Sequence, residues 1–360
     1  MISRRIAGLA LLLLLGSCER REAGADRAAF LRELTNVVVL PGYRAFADAA
    51  TDLRLASESF EAAPDVATLD LLQAAWLDAR HAWGVVEANF FGPEEAAFLN
   101  VKVDTYPVLG AAIEAIIAGA STLDATFVES LGSNRKGFQA LDYLIFDPAG
   151  DAAVLDAMTI AANAVRRRAF ARALAANLEQ VAAAVRDLWE PVAGNYAGAL
   201  LAQSPSAALD DLINRLVAFA EFTADTRLGA PGGLTASSGG LPDPAKVESG
   251  RSDASIDDLL ADLQGIRDVW TGDRLGLSGV GLRDLVEAAN PDVAAEFDVD
   301  LQSCFAAVAA IPAPLDLAVV SSTAAVQTAW QALKRLHVRL AVDVVAALGN
   351  TLGFSPFDGD

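Results

Sequence analysis

Apolar residues recur at spacings of three and four along almost the whole chain, and strand-like alternation is scarce. This periodicity is typical of amphipathic helices that turn an apolar stripe toward a core. The sequence therefore predicts an all-α fold. The predicted helices are 26–60 (interrupted near Pro41), 66–91, 104–118, 136–146, 151–202, 206–228, 255–270, 279–289, 291–310 and 314–349.

Residues 229–251 interrupt this pattern with six glycines, three prolines and several serines. Such a composition is typical of a long loop. The segment contains no Gly-Lys-Ser/Thr and follows no strand, which argues against a phosphate-binding loop. We predict two helical-bundle-like domains packed side by side, an N-terminal one at 18–228 and a C-terminal one at 252–360, connected by this loop.

The N-terminus carries a pattern that predicts the compartment. Arg4 and Arg5 precede an apolar run at 6–15, and small residues then lead to Cys18. The run is shorter than the roughly 20 residues that a membrane-spanning helix needs, and the pattern is typical of a secretory signal. Residues 1–17 are thus predicted to be a lipoprotein signal peptide, with Cys18 as the lipidated first residue of the mature chain. An ordinary signal peptide with an incidental cysteine is the alternative.

The residue after this cysteine refines the predicted location. Glu19 is not the aspartate that commonly retains bacterial lipoproteins in the inner membrane. We expect a periplasmic protein with a lipid anchor at Cys18, in the outer membrane rather than the inner one.

The formal net charge of −20 excludes one class of partner. Such a surface repels phosphate backbones, so we expect no nucleic acid to bind. The second cysteine, Cys304, lies in an amphipathic helical pattern. Because free cysteines are among the most buried residues, we expect an inert thiol in the core.

Several stretches of the chain, taken in order, are similar to the imelysin-like family. They are Leu40–Tyr43, Trp76–Trp83 with Glu87–Pro93, Gly137–Phe146, Glu248–Ser252 continuing to Gly272, and Gly353–Asp360. The resemblance implies a two-domain helical fold in the periplasm or at the outer membrane, and a link to iron-regulated uptake. It also implies a peptidase activity, which is attached to the family name.

The family signature Gly-x-His-x-x-Glu is altered in this chain. The matching residues are Gly137, Gln139 and Asp142, so the histidine is replaced by glutamine and the glutamate by a shorter aspartate. These replacements argue against metal binding and hydrolysis at this motif. Because Gln139 and Asp142 are three residues apart, they share a helix face. One hypothesis is a hydrogen-bond network; the other is a metal site completed by Glu87, with iron or another divalent cation as the cofactor.

A second helix face carries large aromatic and charged residues. An α-helix turns by about 100° per residue, so an arc of roughly 60° around this helix contains Trp76, Arg80, Trp83 and Glu87. They form either a core face with internal ion pairs or the floor of a pocket, with Glu87 toward a ligand and Trp83 as an apolar wall.

The segment before the helix at 255–270 supplies the remaining candidates, Glu248, Ser249, Arg251 and Ser252. Ser255 and Asp258 have the spacing of a capping box and are interpreted as a helix cap. The family layout suggests that the candidates face Gln139 and Asp142 across the domain junction.

We predict a non-enzymatic lipoprotein that binds a small ligand or an envelope protein partner at this junction. One alternative is an envelope peptidase, although the chain has no His-Glu-x-x-His motif. The other is a structural or assembly role on the membrane face.

Overall fold

The computed structural model describes residues 26–353, so the predicted signal peptide, Cys18 and the segment 354–360 lie outside the described residues. Residues 26–33 are helical and continue through a π-helical segment, Leu34–Val39, into the first long helix. The helices of the N-terminal half are α1 Leu40–Ala62, α2 Val66–Glu87, α3 Pro93–Ala96, α4 Leu99–Val103, α5 Gly110–Ala118, α6 Ala125–Glu129, α7 Gly137–Ile145, α8 Asp151–Thr159, α9 Ala164–Trp189, α10 Tyr196–Leu201 and α11 Pro205–Glu221.

The second half is also helical. Its helices are α12 Ser255–Thr271, α13 Leu282–Ala289, α14 Pro291–Ala309, α15 Leu315–Ser321, α16 Thr323–Val338 and α17 Val345–Leu348. Further π-helical segments are Phe222–Gly229 and Arg339–Val344, and single 3-10 turns lie at Ser133–Arg135, Ala236–Ser238 and Pro244–Lys246. Two short antiparallel strands, β1 Asp273–Arg274 and β2 Leu277–Ser278, form a hairpin. The predicted all-α class is confirmed.

Two of the predicted helices combine several observed ones, and the helix predicted at 104–118 begins only at Gly110. The prediction at 151–202 is divided into α8, α9 and α10. A turn at 160–163 separates α8 from α9, and α9 is separated from α10 where Pro191 lacks a backbone N–H and Asn195 adopts a left-handed conformation with φ 54°. The prediction at 314–349 is interrupted at Ser322, which lies between α15 and α16. Periodicity alone does not reveal these breaks, since the apolar spacing continues across them.

The helices α1, α2 and α9 form the centre of the N-terminal half, and α2 also packs against α12 of the second half. Glycines allow the backbones of α2 and α12 to approach closely. A Cβ atom on Gly265 would lie 2.4 Å from the carbonyl oxygen of Val85, and one on Gly84 would lie 2.9 Å from the Cβ of Ala261. No larger residue fits these positions without moving one of the helices.

The buried apolar side chains of both halves belong to one continuous core. The division into two domains therefore stays a prediction. Cys304 lies in this core, as expected, and burial raises the pKa of its thiol to about 12. Among the described residues, no helix combines the length and the apolar character needed to cross a membrane.

Candidate functional site

A buried cluster of charged side chains lies where the two halves meet. It is supplied by the end of α2, the residue after α4, the π-helical segment Phe222–Gly229, the loop before α12, and α12 itself. Two arginines with almost no exposed surface, Arg80 and Arg227, form its centre.

Arg80 joins three elements. Its guanidinium lies 2.9 Å from Asp104 and 3.0 Å from Asp258, and the carboxylate of Glu248 is 3.8 Å away. The guanidinium also lies 5.9 Å from the centre of the Phe138 ring. Arg80 therefore links α2 to the chain after α4 and to α12.

Arg227 lies in the π-helical segment and contacts four carboxyl groups. Its guanidinium is 2.8 Å from Glu87, 3.2 Å from Glu248 and 3.4 Å from Asp104. It also donates a hydrogen bond to Asp262, which is fully buried. Asp104 and Glu248 contact both arginines, so the two sets of ion pairs form one network, which we call the Arg80–Arg227 network.

This network contains more acid than base. Five carboxyl groups face two guanidinium groups, so full ionisation would leave three uncompensated negative charges. Burial raises the pKa of Glu248 and Asp262 to about 7 each and also raises the pKa of Asp258, while the two arginines oppose this shift. The neighbouring carboxylates hold the pKa of Arg80 and Arg227 above its usual value. Protons retained by these carboxyl groups near pH 7 thus reduce the surplus negative charge of the network.

The altered signature motif borders this network. Gly137 begins α7 with φ 77°, and a Cβ atom there would lie 2.3 Å from the carbonyl oxygen of Val103. Only glycine permits this approach. It places Gln139 where its amide donates to Asp104 (3.1 Å) and to the Ser249 hydroxyl (3.2 Å), while its oxygen accepts from the Ser249 backbone (3.2 Å).

The Gln139 amide is thus occupied by hydrogen bonds within the protein. Ser249 has a left-handed conformation with φ 51°, and its hydroxyl donates to Asp258 at 2.7 Å. These contacts fit the hypothesis of a hydrogen-bond network at Gln139.

Asp142 lies one turn further along α7 and is buried, with 4% of its surface exposed. Its Oδ1 atom has no hydrogen-bond partner. Burial raises the pKa of Asp142 to about 7, although hydrogen bonds from Ser252 and the nearby charge of Arg251 oppose the shift. This carboxyl is therefore the least satisfied acidic group of the candidate site.

Arg251 pairs with other groups beside this carboxyl. It donates a hydrogen bond to the carbonyl of Phe146 (3.2 Å), lies 3.5 Å from Asp147, and stacks over the Tyr143 ring at 4.6 Å. Ser252 donates to the Ser249 carbonyl at 3.1 Å, which fixes the turn before α12.

Two cavities flank Tyr106, whose hydroxyl donates to the Ala245 carbonyl at 2.6 Å. One has a volume of about 300 Å³ and is lined by Glu87, Asp104, Arg227 and Glu248 among others. The other, which we call the Asp142 cavity, has a volume of about 240 Å³. Its lining includes Tyr106, Pro107, Val108, Gln139, Asp142, Tyr143, Val247, Arg251 and Asp316.

Most sequence-predicted candidates thus converge at one junction. Glu87 and Glu248 join the Arg80–Arg227 network, whereas Gln139, Asp142 and Arg251 border the second cavity. Trp83 does not take part in either cavity. It is fully buried in the core between Phe46 and Phe90, with ring centres at 5.4 and 5.3 Å.

The interpretation of Ser255 and Asp258 as a helix cap is wrong. The residue before α12 is Ala254, and no side chain caps the helix. Ser255 donates to the Glu248 carbonyl, and Asp258 instead binds Arg80 and Ser249. The buried arginine offers Asp258 a stronger partner than a backbone N–H.

No sequence motif identifies three members of the network, Asp104, Arg227 and Asp262. Their partners are distant along the chain, so no local motif connects them; Arg227 and Glu87 are separated by 140 positions. The feature of the sequence that could have indicated these residues is the occurrence of charged residues within otherwise apolar helical faces.

The part of the chain that the structure describes provides no set of ligands for the predicted metal site. Residues 26–353 contain no group of three or more histidine, cysteine, aspartate or glutamate side chains placed to hold a metal ion. Glu87 is paired with Arg227, and Asp142 lies on the wall of the Asp142 cavity.

Comparison with known proteins agrees with this architecture. The family model for imelysin matches residues 39–341. The chain belongs to the imelysin family. This imelysin-family chain is 28% identical over 326 residues to iron-regulated protein A of Synechococcus elongatus, covering 88% of the chain and 82% of that protein.

Solved structures support the same fold for this imelysin-family protein. A putative iron-regulated protein A precursor from Parabacteroides distasonis superposes with a TM-score of 0.77 at 20% identity, over 90% of this chain and 95% of the other. An imelysin-like protein from Psychrobacter arcticum gives a TM-score of 0.74 at 18% identity, over 92% and 98%. At these identities the likeness concerns the fold.

Proposed function

We propose that this imelysin-family protein is a non-enzymatic binder of a small ligand at the junction beside Tyr106. The observation that supports the proposal is the buried Asp142 carboxyl, whose Oδ1 has no partner and which lines a cavity of about 240 Å³. Apolar and aromatic walls around a few polar groups are typical of ligand sites. An unsatisfied buried polar atom is costly unless a further partner compensates it.

A cavity-blocking variant tests this proposal. We expect compounds from a mixed library of cations, anions and neutral molecules to raise the melting temperature of the protein, and Val108→Phe to abolish that increase by filling the Asp142 cavity. Val192→Phe is the matched control, because Val192 is 95% exposed. If no compound stabilises the protein, or if Val108→Phe retains the full increase, the junction is not the binding site.

The proposal also includes a link between this protein and the iron supply of the cell. It rests on the name of the Synechococcus relative, iron-regulated protein A. We expect the abundance of this protein in its source bacterium to change when iron is chelated from the medium, measured by quantitative immunoblotting. Unchanged abundance across iron-replete and iron-depleted cultures would remove this link.

The envelope location is likewise a proposal, carried by the N-terminal pattern that ends at Cys18. We expect Cys18→Ser to shift the protein out of the membrane fraction and to remove the mass of the lipid from the mature chain, measured by fractionation and mass spectrometry. Cys304→Ser is the control, because this cysteine is buried in the core. Equal fractionation of both variants would contradict lipidation at Cys18.

A further inference from the structure

The chemical class of the ligand can be argued from the walls of the Asp142 cavity. Its most distinctive group is the Asp142 Oδ1 atom, a hydrogen-bond acceptor with no partner in the protein. The neighbouring Gln139 amide is occupied by Asp104 and Ser249. The ionised form of this carboxyl only accepts hydrogen bonds, so it favours a ligand that offers a donor over a group that only accepts them.

The charge around the cavity favours a positively charged donor. A second carboxyl, Asp316 on α15, contributes to the lining. Among the described residues that line the cavity, Arg251 is the only basic one, and its guanidinium already contacts the Phe146 carbonyl, Asp147 and the Tyr143 ring. Burial raises the pKa of the Tyr106 hydroxyl, and the nearby carboxyl groups of Glu248 and Asp142 raise it further, in line with an acidic surrounding. An anionic ligand would meet this field without a free cation to compensate it.

The remaining walls fit an organic cation better than a metal ion. The Tyr106 ring, together with Pro107 and Val108, provides aromatic and apolar surface, whereas the Tyr143 ring is already covered by Arg251. A carboxylate beside aromatic rings is the arrangement that recognises ammonium groups, through an ion pair and cation–π attraction. A divalent metal needs several oxygen or nitrogen ligands, and the described residues place no such set together.

We infer that the Asp142 cavity binds the ammonium group of a small aliphatic amine, with Asp142 as its counter-ion and Tyr106 as its aromatic wall. This inference rests on the proposed function for the location of the ligand. It adds the class of ligand that the cavity selects.

Calorimetric titration of the full chain with three matched probes tests the inference. The probes are n-butylammonium, 1-butanol and butyrate, which share a four-carbon body and differ in the charge of the head group. We expect saturable binding of n-butylammonium, at least about tenfold tighter than 1-butanol, and no binding of butyrate. Zinc and calcium chloride are titrated in parallel and should give only the heat of dilution.

Two variants test whether the carboxyl group of Asp142 binds the n-butylammonium probe. Asp142→Asn keeps the shape of the side chain and removes its charge, so n-butylammonium should bind about tenfold more weakly or worse. Asp156→Asn is the matched control, because Asp156 is an exposed aspartate on α8, outside the cavity. If Asp142→Asn does not fold, the ranking of the three probes on the unmodified chain still decides the question.

The outcomes separate this inference from the proposed function. Tighter binding of 1-butanol or butyrate that Val108→Phe abolishes would overturn the amine class and support a ligand site at the junction. Binding of zinc or calcium that depends on Asp142 would overturn it in favour of a metal. Equal affinity of n-butylammonium for the Asp142→Asn and Asp156→Asn variants would also overturn it.

Discussion

Replacing Glu94 by glutamine is expected to increase the free energy of unfolding by about 2–3 kcal/mol more at pH 8 than at pH 5. Glu94 is fully buried. Its Oε1 accepts hydrogen bonds from the Tyr43 hydroxyl (3.0 Å) and the Trp189 indole (2.8 Å), while Oε2 has no partner. Burial raises the pKa of this carboxyl from 4.5 to about 7.

The direction of the effect follows from proton linkage. The folded protein holds a proton on Glu94 up to about pH 7, whereas the unfolded chain loses it near pH 4.5. The stability that Glu94 contributes is thus fully present below pH 4.5 and is lost as the pH rises to about 7. Glutamine is neutral at every pH and keeps an oxygen that can accept both hydrogen bonds, so the variant avoids this loss.

Urea unfolding at pH 5 and pH 8 measures the difference. Glu95→Gln is the matched control, since Glu95 is the exposed neighbour of Glu94 on α3, and its replacement should change stability by a similar small amount at both pH values. A constant difference between Glu94→Gln and the unmodified protein at the two pH values would show that Glu94 is ionised in the core.

The second large effect is expected for Arg227→Ala, which should destabilise the protein by about 3–5 kcal/mol at pH 8. Arg227 contacts Glu87, Asp104, Glu248 and Asp262, so the variant leaves four carboxyl groups in the interior without this cation. The loss should be smaller at pH 5, because protonated carboxyls need no counter-charge. Because Glu248 and Asp262 have a pKa of about 7 in the intact protein and a higher one without Arg227, the loss should grow as the pH rises through about 7.

Denaturant unfolding at both pH values measures this loss, and the exposed pair Arg44–Glu190 supplies the control. The Arg44 side chain is 52% exposed, and Arg44→Ala should cost less than about 1 kcal/mol. If Arg227→Ala fails to fold at pH 8, its recovery at pH 5 is the informative result. Equal losses for Arg227→Ala and Arg44→Ala would show that the buried network contributes no more than an exposed pair.

Local sequence patterns predicted the helices well but not their interruptions. The spacing of apolar residues predicted α2 and α12 nearly to their ends. It also merged α8, α9 and α10 into one element, because the apolar stripe continues across the turn at 160–163 and across Pro191 and Asn195, where the helix is interrupted. The hairpin at 273–278 was not predicted, since strands of two residues carry no alternation that a sequence can display.

The sequence predicted those residues of the candidate site that belong to local motifs, but not those whose partners are distant along the chain. Family motifs drew attention to Glu87, Gln139, Asp142 and Glu248, and these residues lie around one junction. Arg227 belongs to no motif, and its role depends on carboxyl groups that only the packed helices bring together. Ser255 and Asp258 illustrate the opposite error, because a familiar local spacing suggested a cap where distant partners determine the contacts.

The glycine contact between α2 and α12 has a consequence for the buried ion pairs. Any side chain added at Gly84 or Gly265 would push the two helices apart. Glu87 and Asp262 are carried by these same two helices, and one guanidinium, that of Arg227, contacts both of them. Separating the helices would therefore stretch at least one of these ion pairs, and a buried carboxylate that loses its partner is costly.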